Sequence, residues 1–310
     1  MTSELQRTER RRAARTRVRR QRLAVLGAVA VAVTVGVVAA VLLTGGGGTS
    51  AAAPRTTTPP PPPPPPPVRY LGSKLPPKPH RHSGLPTLAE QRAAVERLIP
   101  LGLPLLCAGP RGRYIALTFD DGPGPYTELA MKILRKRGLR ATFFLVGSRV
   151  QLYPTLPAKE LHYGALGDHT WAHPFLPGLS DAQVLEQLRS TRDIIRRVTK
   201  ADVLLFRPPY GGRTARIDRI AKSLGLLQVL WSVDSGDSTG SDVKGVYRNV
   251  LAGLKPGAII LMHENRATTI KSLIHYVLPA IKKRGFIPVS VPELLALDPP
   301  SVEQVRSRHC

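Results

Sequence analysis

Tyr114-Ile115-Ala116-Leu117-Thr118-Phe119-Asp120-Asp121-Gly122-Pro123 decides the fold of this 310-residue chain. Six uncharged residues, apolar, aromatic or β-branched, run straight into two adjacent carboxylates and a Gly-Pro break. A short apolar run stopped by turn residues reads as a strand, and Asp-Asp-Gly-Pro as the turn that ends it. The same grammar repeats downstream. Strands are predicted at 114–119, 141–146, 165–167, 203–206, 227–233, 258–262 and 286–289. Helical periodicity fills 127–137, 180–198, 215–224, 241–254 and 269–284. Thr87 with Glu90, and Ser180 with Gln183, have the spacing of capping boxes, in which each partner satisfies a helix-start N–H of the other. Seven strands alternating with helices predict an α/β fold with parallel strands.

Polar residues fall on that framework at one kind of place. Asp120 and Asp121 follow the first strand, His169 and His173 the third, Arg207 and Tyr210 the fourth, Asp234 and Asp237 the fifth, and His263 ends the sixth. The C-terminal ends of parallel strands are where such folds build their sites. A helical turn through His169-Thr170-Trp171-Ala172-His173 would point both imidazoles the same way. Two imidazoles and one carboxylate form a common zinc set that leaves a position open for water. The adjacent aspartates then divide the work, one as ligand and one as base. Amide hydrolysis also needs an acid for a poor amine leaving group, which a His with a carboxylate partner can supply. Asp234 is the expected partner of His263; its alternative role is to cap a loop at the strand end.

These segments resemble the NodB-type polysaccharide deacetylases, carbohydrate esterase family four. Thr118-Phe119-Asp120-Asp121-Gly122 is similar to the family's first motif, His169–His173 to its second, Arg207-Pro208-Pro209-Tyr210 to its third and Ile260-Leu261-Met262-His263 to its fifth. The resemblance covers about 113–297. It implies a distorted (β/α)7 barrel, with Asp121, His169 and His173 as ligands of a divalent metal, usually Zn2+. It implies Asp120 as general base, His263 as general acid and Arg207 as the partner that orients Asp120. The Tyr210 backbone N–H would face the oxyanion, and Leu261 would line the acetyl-methyl pocket. Pro208 and Trp231 are expected to border the substrate. Two departures stand out. Asp237 is followed by Ser238 where the family usually has Trp, and 163–168 lacks the usual His-Glu pair; both point to altered substrate preference. The expected function is N-deacetylation of an N-acetylglucosamine-containing cell-wall polysaccharide, above all peptidoglycan. The alternatives are a non-catalytic wall-binding module with the same fold, or an O-deacetylase.

The rest of the chain supplies context. Net charge is +24, and 42% of residues are hydrophobic, enough for a sizeable core. Residues 1–22 hold nine Arg against two Glu. Residues 23–44 carry no charge, and 22 residues at about 1.5 Å each span a hydrocarbon core of about 30 Å. The Arg cluster before them places the N-terminus in the cytoplasm and the remainder outside. A cleaved signal peptide is the alternative, with small residues near 50–53 as the cleavage site. Residues 45–82 form a linker whose nine consecutive prolines, 59–67, make a polyproline II spacer of about 28 Å. An N-terminal helical extension (83–112), the main domain (113–297) and a C-terminal tail (298–310) follow. Basic charge favours anionic partners, but an Arg arm joined to a membrane span is an orientation signal, so no nucleic acid is expected. Cys107 and Cys310 are the only cysteines. Export would let them pair and staple the ends of the domain; two free thiols are the alternative.

Overall fold

Strand β1 (Tyr114–Gly122) pairs with three other strands, and its apolar run is buried along almost its whole length. The computed structural model describes residues 84–308 and Cys310. The expected basic arm, membrane span and linker lie outside them. Among the described residues no helix is long and apolar enough to cross a membrane. The remaining strands are β2 (Ala141–Leu145), β3 (Gly164–Asp168), β4 (Leu205–Phe206), β5 (Leu227–Gln228), β6 (Val233–Asp234), β7 (Ile259–His263) and β8 (Ile287–Val289). Every ladder is parallel, in the order β5-β4-β3-β2-β1-β7-β6, with β8 on the first part of β1.

That order forces the sheet to curl. A flat seven-strand sheet would hold its edges about 29 Å apart at about 4.8 Å per strand. Yet the edge strands β5 and β6 are neighbours in sequence, and five residues from Gln228 to Val233 reach about 18 Å at most. The expected strand 227–233 is therefore two strands on opposite edges. The gap between them is filled from upstream: Leu105 N–H donates to Gln228 O (2.8 Å), Leu230 N–H to Leu105 O (2.7 Å) and Ala108 N–H to Gly257 O (2.9 Å).

Helices pack around this curl. They are α1 (Leu88–Glu96), α2 (Thr127–Arg137), α3 (Gly147–Leu152), α4 (Leu156–His162), α5 (Asp181–Thr199), α6 (Ala215–Ser223), α7 (Val243–Gly253), α8 (Ala267–Ser272), α9 (Leu278–Lys283), α10 (Val291–Leu297) and α11 (Val302–Ser307). Both expected capping boxes form, at Thr87–Glu90 and Ser180–Gln183. The predicted helix 269–284 is broken by a π-turn, Leu273–Val277, between α8 and α9. The main core gathers β1, β2 and β7 side chains (Phe119, Phe143, Ile260) against α2, α8 and α9 (Leu134, Ile270, Ile281). A disulfide joins Cys107 to Cys310, with Cα atoms 5.8 Å apart.

Candidate active site

The site begins where β1 stops being regular. Neighbouring residues of a strand normally point to opposite faces, which would separate Asp120 from Asp121. Here Phe119 pairs with Phe143 but Gly122 with Leu145, so three steps along β1 match two along β2. Asp121 takes a left-handed φ of 67°. The bulge and the turn bring both carboxylates to one imidazole: His169 Nε2 lies 3.7 Å from Asp120 Oδ2 and 3.6 Å from Asp121 Oδ1. Bulges of this kind re-aim side chains beside active sites.

The histidines come together differently from the expectation. The segment 169–173 is not helical; Thr170 and His173 have φ of 67° and 57°. Asp168 accepts from the Thr170 N–H (2.7 Å), and Thr170 Oγ1 accepts from the His173 N–H (3.1 Å). Short polar side chains thus satisfy the backbone of a tight loop in place of a helix ladder. The imidazole rings still meet, with centroids 4.9 Å apart. His169 Nδ1 donates to the Arg207 carbonyl (2.7 Å), the only role a carbonyl partner permits, so Nε2 keeps its lone pair for a metal. His173 Nε2 is 3.1 Å from Asp121 Oδ1, and one ligand atom each from Asp121, His169 and His173 fall within 4.8 Å of one another. Donors about 2.0–2.1 Å from a tetrahedral zinc stand about 3.3 Å apart, close to the 3.1 and 3.6 Å between Asp121 Oδ1 and the two imidazole nitrogens. Asp121 Oδ1 is buried with the Nε2 atoms of His169 and His173 as its neighbours, an oxygen placed to share a cation with both imidazoles. Burial would raise Asp121, but the His173 hydrogen bond and the histidine charges hold it well below the usual carboxylate range. Burial lowers His169 despite both aspartates, which favours the neutral ligand form. The residues fit a divalent metal.

Arg207 is the largest fully buried side chain described. Its Nη1 donates to Asp120 Oδ1 (2.7 Å) and Thr118 Oγ1 (2.8 Å), Nη2 to Leu230 O (2.9 Å) and Nε to Val229 O (3.1 Å). Its guanidinium lies 4.1 Å from the centre of the Phe144 ring. A buried charge is tolerable only when paired and hydrogen-bonded to this degree. Asp120 is therefore clamped through Oδ1, with Oδ2 turned to the histidine side.

His263 stands beside Asp120 in register, on the neighbouring strand. Its partner is Asp237, which corrects the expectation for Asp234. Asp237 Oδ1 is 2.7 Å from His263 Nδ1, Oδ2 accepts the His263 N–H (2.8 Å), and the Thr269 hydroxyl also donates to Oδ2. Asp234 is exposed, and its carboxylate accepts from the Gly236 N–H (2.8 Å), the loop-capping role. The left-handed turn at Gly236 (φ 69°) reverses the chain and carries the later carboxylate under His263. The Ser-Gly-Asp turn at 235–237 was the available signal. Burial alone would lower His263; the Asp237 hydrogen bond and charge outweigh it and raise the pKa. Burial would likewise raise Asp237, and His263 holds it down.

Leu261 is buried two residues before His263 on β7, hence on the same face. Pro208 is buried, whereas Tyr210 is 70% exposed with φ 60° and its ring 4.7 Å from that of His173. Trp231 is half-buried against Gly211 and 5.7 Å from the Arg207 guanidinium. Ser238 is exposed. Sequence reasoning missed a further pair. Glu160 and Glu264 are both fully buried, and they share a hydrogen bond only if one of them is protonated; the Thr127 side chain also hydrogen-bonds Glu264. Glu264 lies directly against the Cα of Gly122. No periodicity marks such a pair, because its members are 104 positions apart and meet only through packing.

A curled parallel α/β sheet defines the class: its strand ends carry two histidines and one aspartate spaced so that they could hold a metal, beside a carboxylate–histidine pair. Comparison with known proteins narrows it. The polysaccharide deacetylase profile matches residues 108–229. A peptidoglycan-N-acetylglucosamine deacetylase of Bacillus cereus is 36% identical over 190 residues, 59% of this chain and 88% of that protein. Peptidoglycan-N-acetylglucosamine deacetylase PgdA of Listeria monocytogenes is 34% identical over 226 residues; the match takes in 71% of this chain and spans about half (48%) of the Listeria protein. The solved structure of peptidoglycan deacetylase PdaC from Bacillus subtilis has a TM-score of 0.56 and 33% identity, covering 64% of this chain and 94% of that one. The chain belongs to the polysaccharide deacetylase family.

Proposed function

We propose that this protein removes N-acetyl groups from an N-acetylglucosamine-containing cell-wall polysaccharide, with peptidoglycan as the first candidate, in a reaction that depends on a divalent metal, zinc by preference. The observation that carries the reading is the register pairing of Asp120 with His263, flanked by the Asp121–His169–His173 set. Base and acid thus face one reacting centre from neighbouring strands. The names of the Bacillus and Listeria relatives support the substrate class.

Asp121, His169 and His173 would hold a divalent metal, which would supply Lewis acidity to the site. Asp120 takes the proton of the attacking water at Oδ2, since Oδ1 is committed to Arg207. Arg207 fixes that orientation and keeps the charge balanced. His263, its pKa raised by Asp237 and bonded to it at Nδ1, presents Nε2 as the proton donor to the departing amine. The Tyr210 N–H serves the oxyanion, and Leu261 borders the acetyl methyl. Buried Arg207 and Leu261 keep bulk water from the floor of the site.

The apolar segment 23–44 anchors the protein in the membrane, with the N-terminus cytoplasmic and the catalytic domain outside; secretion after cleavage is the alternative. The disulfide supports an oxidising compartment. Fractionation of cells producing the full chain distinguishes the two: a membrane-pelleted full-length product fits the anchor, a shortened soluble one the signal peptide. For the chemistry, the metal-loaded protein is incubated with peptidoglycan, chitin oligomers and acetylated xylan. Acetate release from the first two, abolished by chelator and by Asp120→Asn, is expected. Release from xylan alone would replace N- with O-deacetylation, and persistent release by Asp120→Asn would overturn the base.

A further inference from the structure

Eight large apolar side chains are prominently exposed among the described residues. Leu88, Leu129, Leu152, Tyr276, Ile287 and Val302 sit on separate elements. The other two, Phe175 (58% exposed) and Tyr210 (70%), lie together, their ring centroids 6.5 Å apart. Tyr210 in turn packs edge-on to the metal ligand His173. Exposed aromatics that cluster at a site are informative in a way that scattered ones are not.

Neither ring is loosely held. Phe175 precedes Leu176, which is fully buried, and the turn that follows is tied to α6 by Arg216, whose Nη2 donates to Leu179 O (2.7 Å). The Phe175 ring rests on the backbone of Gly212, where even a Cβ would come within 2.8 Å of it. Tyr210 is fixed by its left-handed backbone and the 3-10 turn Pro209–Gly211. Two rings are thus locked on the backbone while their outer faces stay in water. In the loop that carries Asp237, the two residues that follow it, Ser238 and Thr239, are small and exposed. Phe175 has no hydrogen-bonding atom, so what it can offer a ligand is apolar contact area. The C–H face of a pyranose ring is the part of a sugar that pairs with such a surface.

We propose that Phe175 and Tyr210 form a stacking subsite for one pyranose ring of the polymer, beside the metal set, and that Phe175 sets the preference for chains over single sugars. This rests on the amino-sugar polymer reading above. The rigid platform offers contact area with little ordering of the protein on binding.

The test compares wild type, Phe175→Ala and Phe175→Tyr, all metal-loaded, on N-acetylglucosamine pentamer. Phe175→Ala should raise KM about tenfold with kcat changed less than about threefold, and Phe175→Tyr should restore KM. Equal KM in wild type and Phe175→Ala, or a loss confined to kcat, would overturn the subsite. If wild type releases no acetate from the pentamer, the functional reading fails by itself. Calorimetric titration of pentamer into Asp120→Asn, with and without Phe175→Ala, then decides the subsite: about tenfold weaker binding with the second change upholds it, and equal or undetectable binding in both refutes it.

Discussion

Asp120–Asp121 and Glu160–Glu264 are two carboxyl pairs that meet at Gly122, and they are kept in opposite ionic conditions. Asp120 faces a guanidinium at 2.7 Å, and Asp121 faces two imidazoles and holds its charge far below the ordinary range. The glutamates have mainly each other. Burial, then the charge of Glu264, pushes Glu160 well above its ordinary value. Burial likewise drives Glu264 up to about 7, against the hydrogen bond it receives from Glu160. The pairs share a neighbourhood and differ in partners, so partners rather than depth decide which carboxyl works as an anion and which as a proton store.

Removing the partner that clamps Asp120 is the strongest way to break the contrast. Arg207→Met should lower kcat for acetate release by at least about a thousandfold, since it strands a buried carboxylate, and should destabilise the fold by about 3–5 kcal/mol in a denaturant titration. Asp237→Asn comes next. It removes the group that raises His263, so kcat should fall about a hundredfold, and the alkaline limb of the pH–rate profile should move to lower pH. Glu160→Gln sharpens the glutamate side. A carboxyl whose folded pKa is raised gives stability that is fully present below its unfolded value, 4.5, and lost as pH rises through about 7. Melting temperatures of the wild type should therefore decline between those limits, and those of Glu160→Gln should decline less. The smallest effect belongs to Asp234→Asn, under about twofold in kcat, because that carboxylate serves a loop; a loss matching Asp237→Asn would reverse the assignment.

The site residues were legible because strand ends are marked twice, by an apolar run and by the polar residue that stops it. Asp120, His169, Arg207 and His263 are all of this kind. The Asp234 expectation failed where distance along the chain stood in for distance in space. Asp234 is nearer the strand, but a glycine turn delivers Asp237. The run 227–233 reads as one strand by composition, and only closure of the sheet requires that it leave one edge and join the other. The imidazole pair was legible as a pair but not as a loop, since i and i+4 suit a helix by default. Two left-handed residues at 170 and 173, supported by Asp168 and Thr170, achieve the same meeting by other means. Glu160 and Glu264 carry no local pattern at all.

The bond between Cys107 and Cys310 closes residues 107–310 into a covalent ring. One protease cut anywhere in that ring leaves every part covalently attached, so a fragment is freed only by a second cut or by a reductant. For the extracytoplasmic enzyme proposed above, working among the hydrolases that digest walls, that topology is a form of damage tolerance. The nicked protein should run at full length on a non-reducing gel and split on a reducing one.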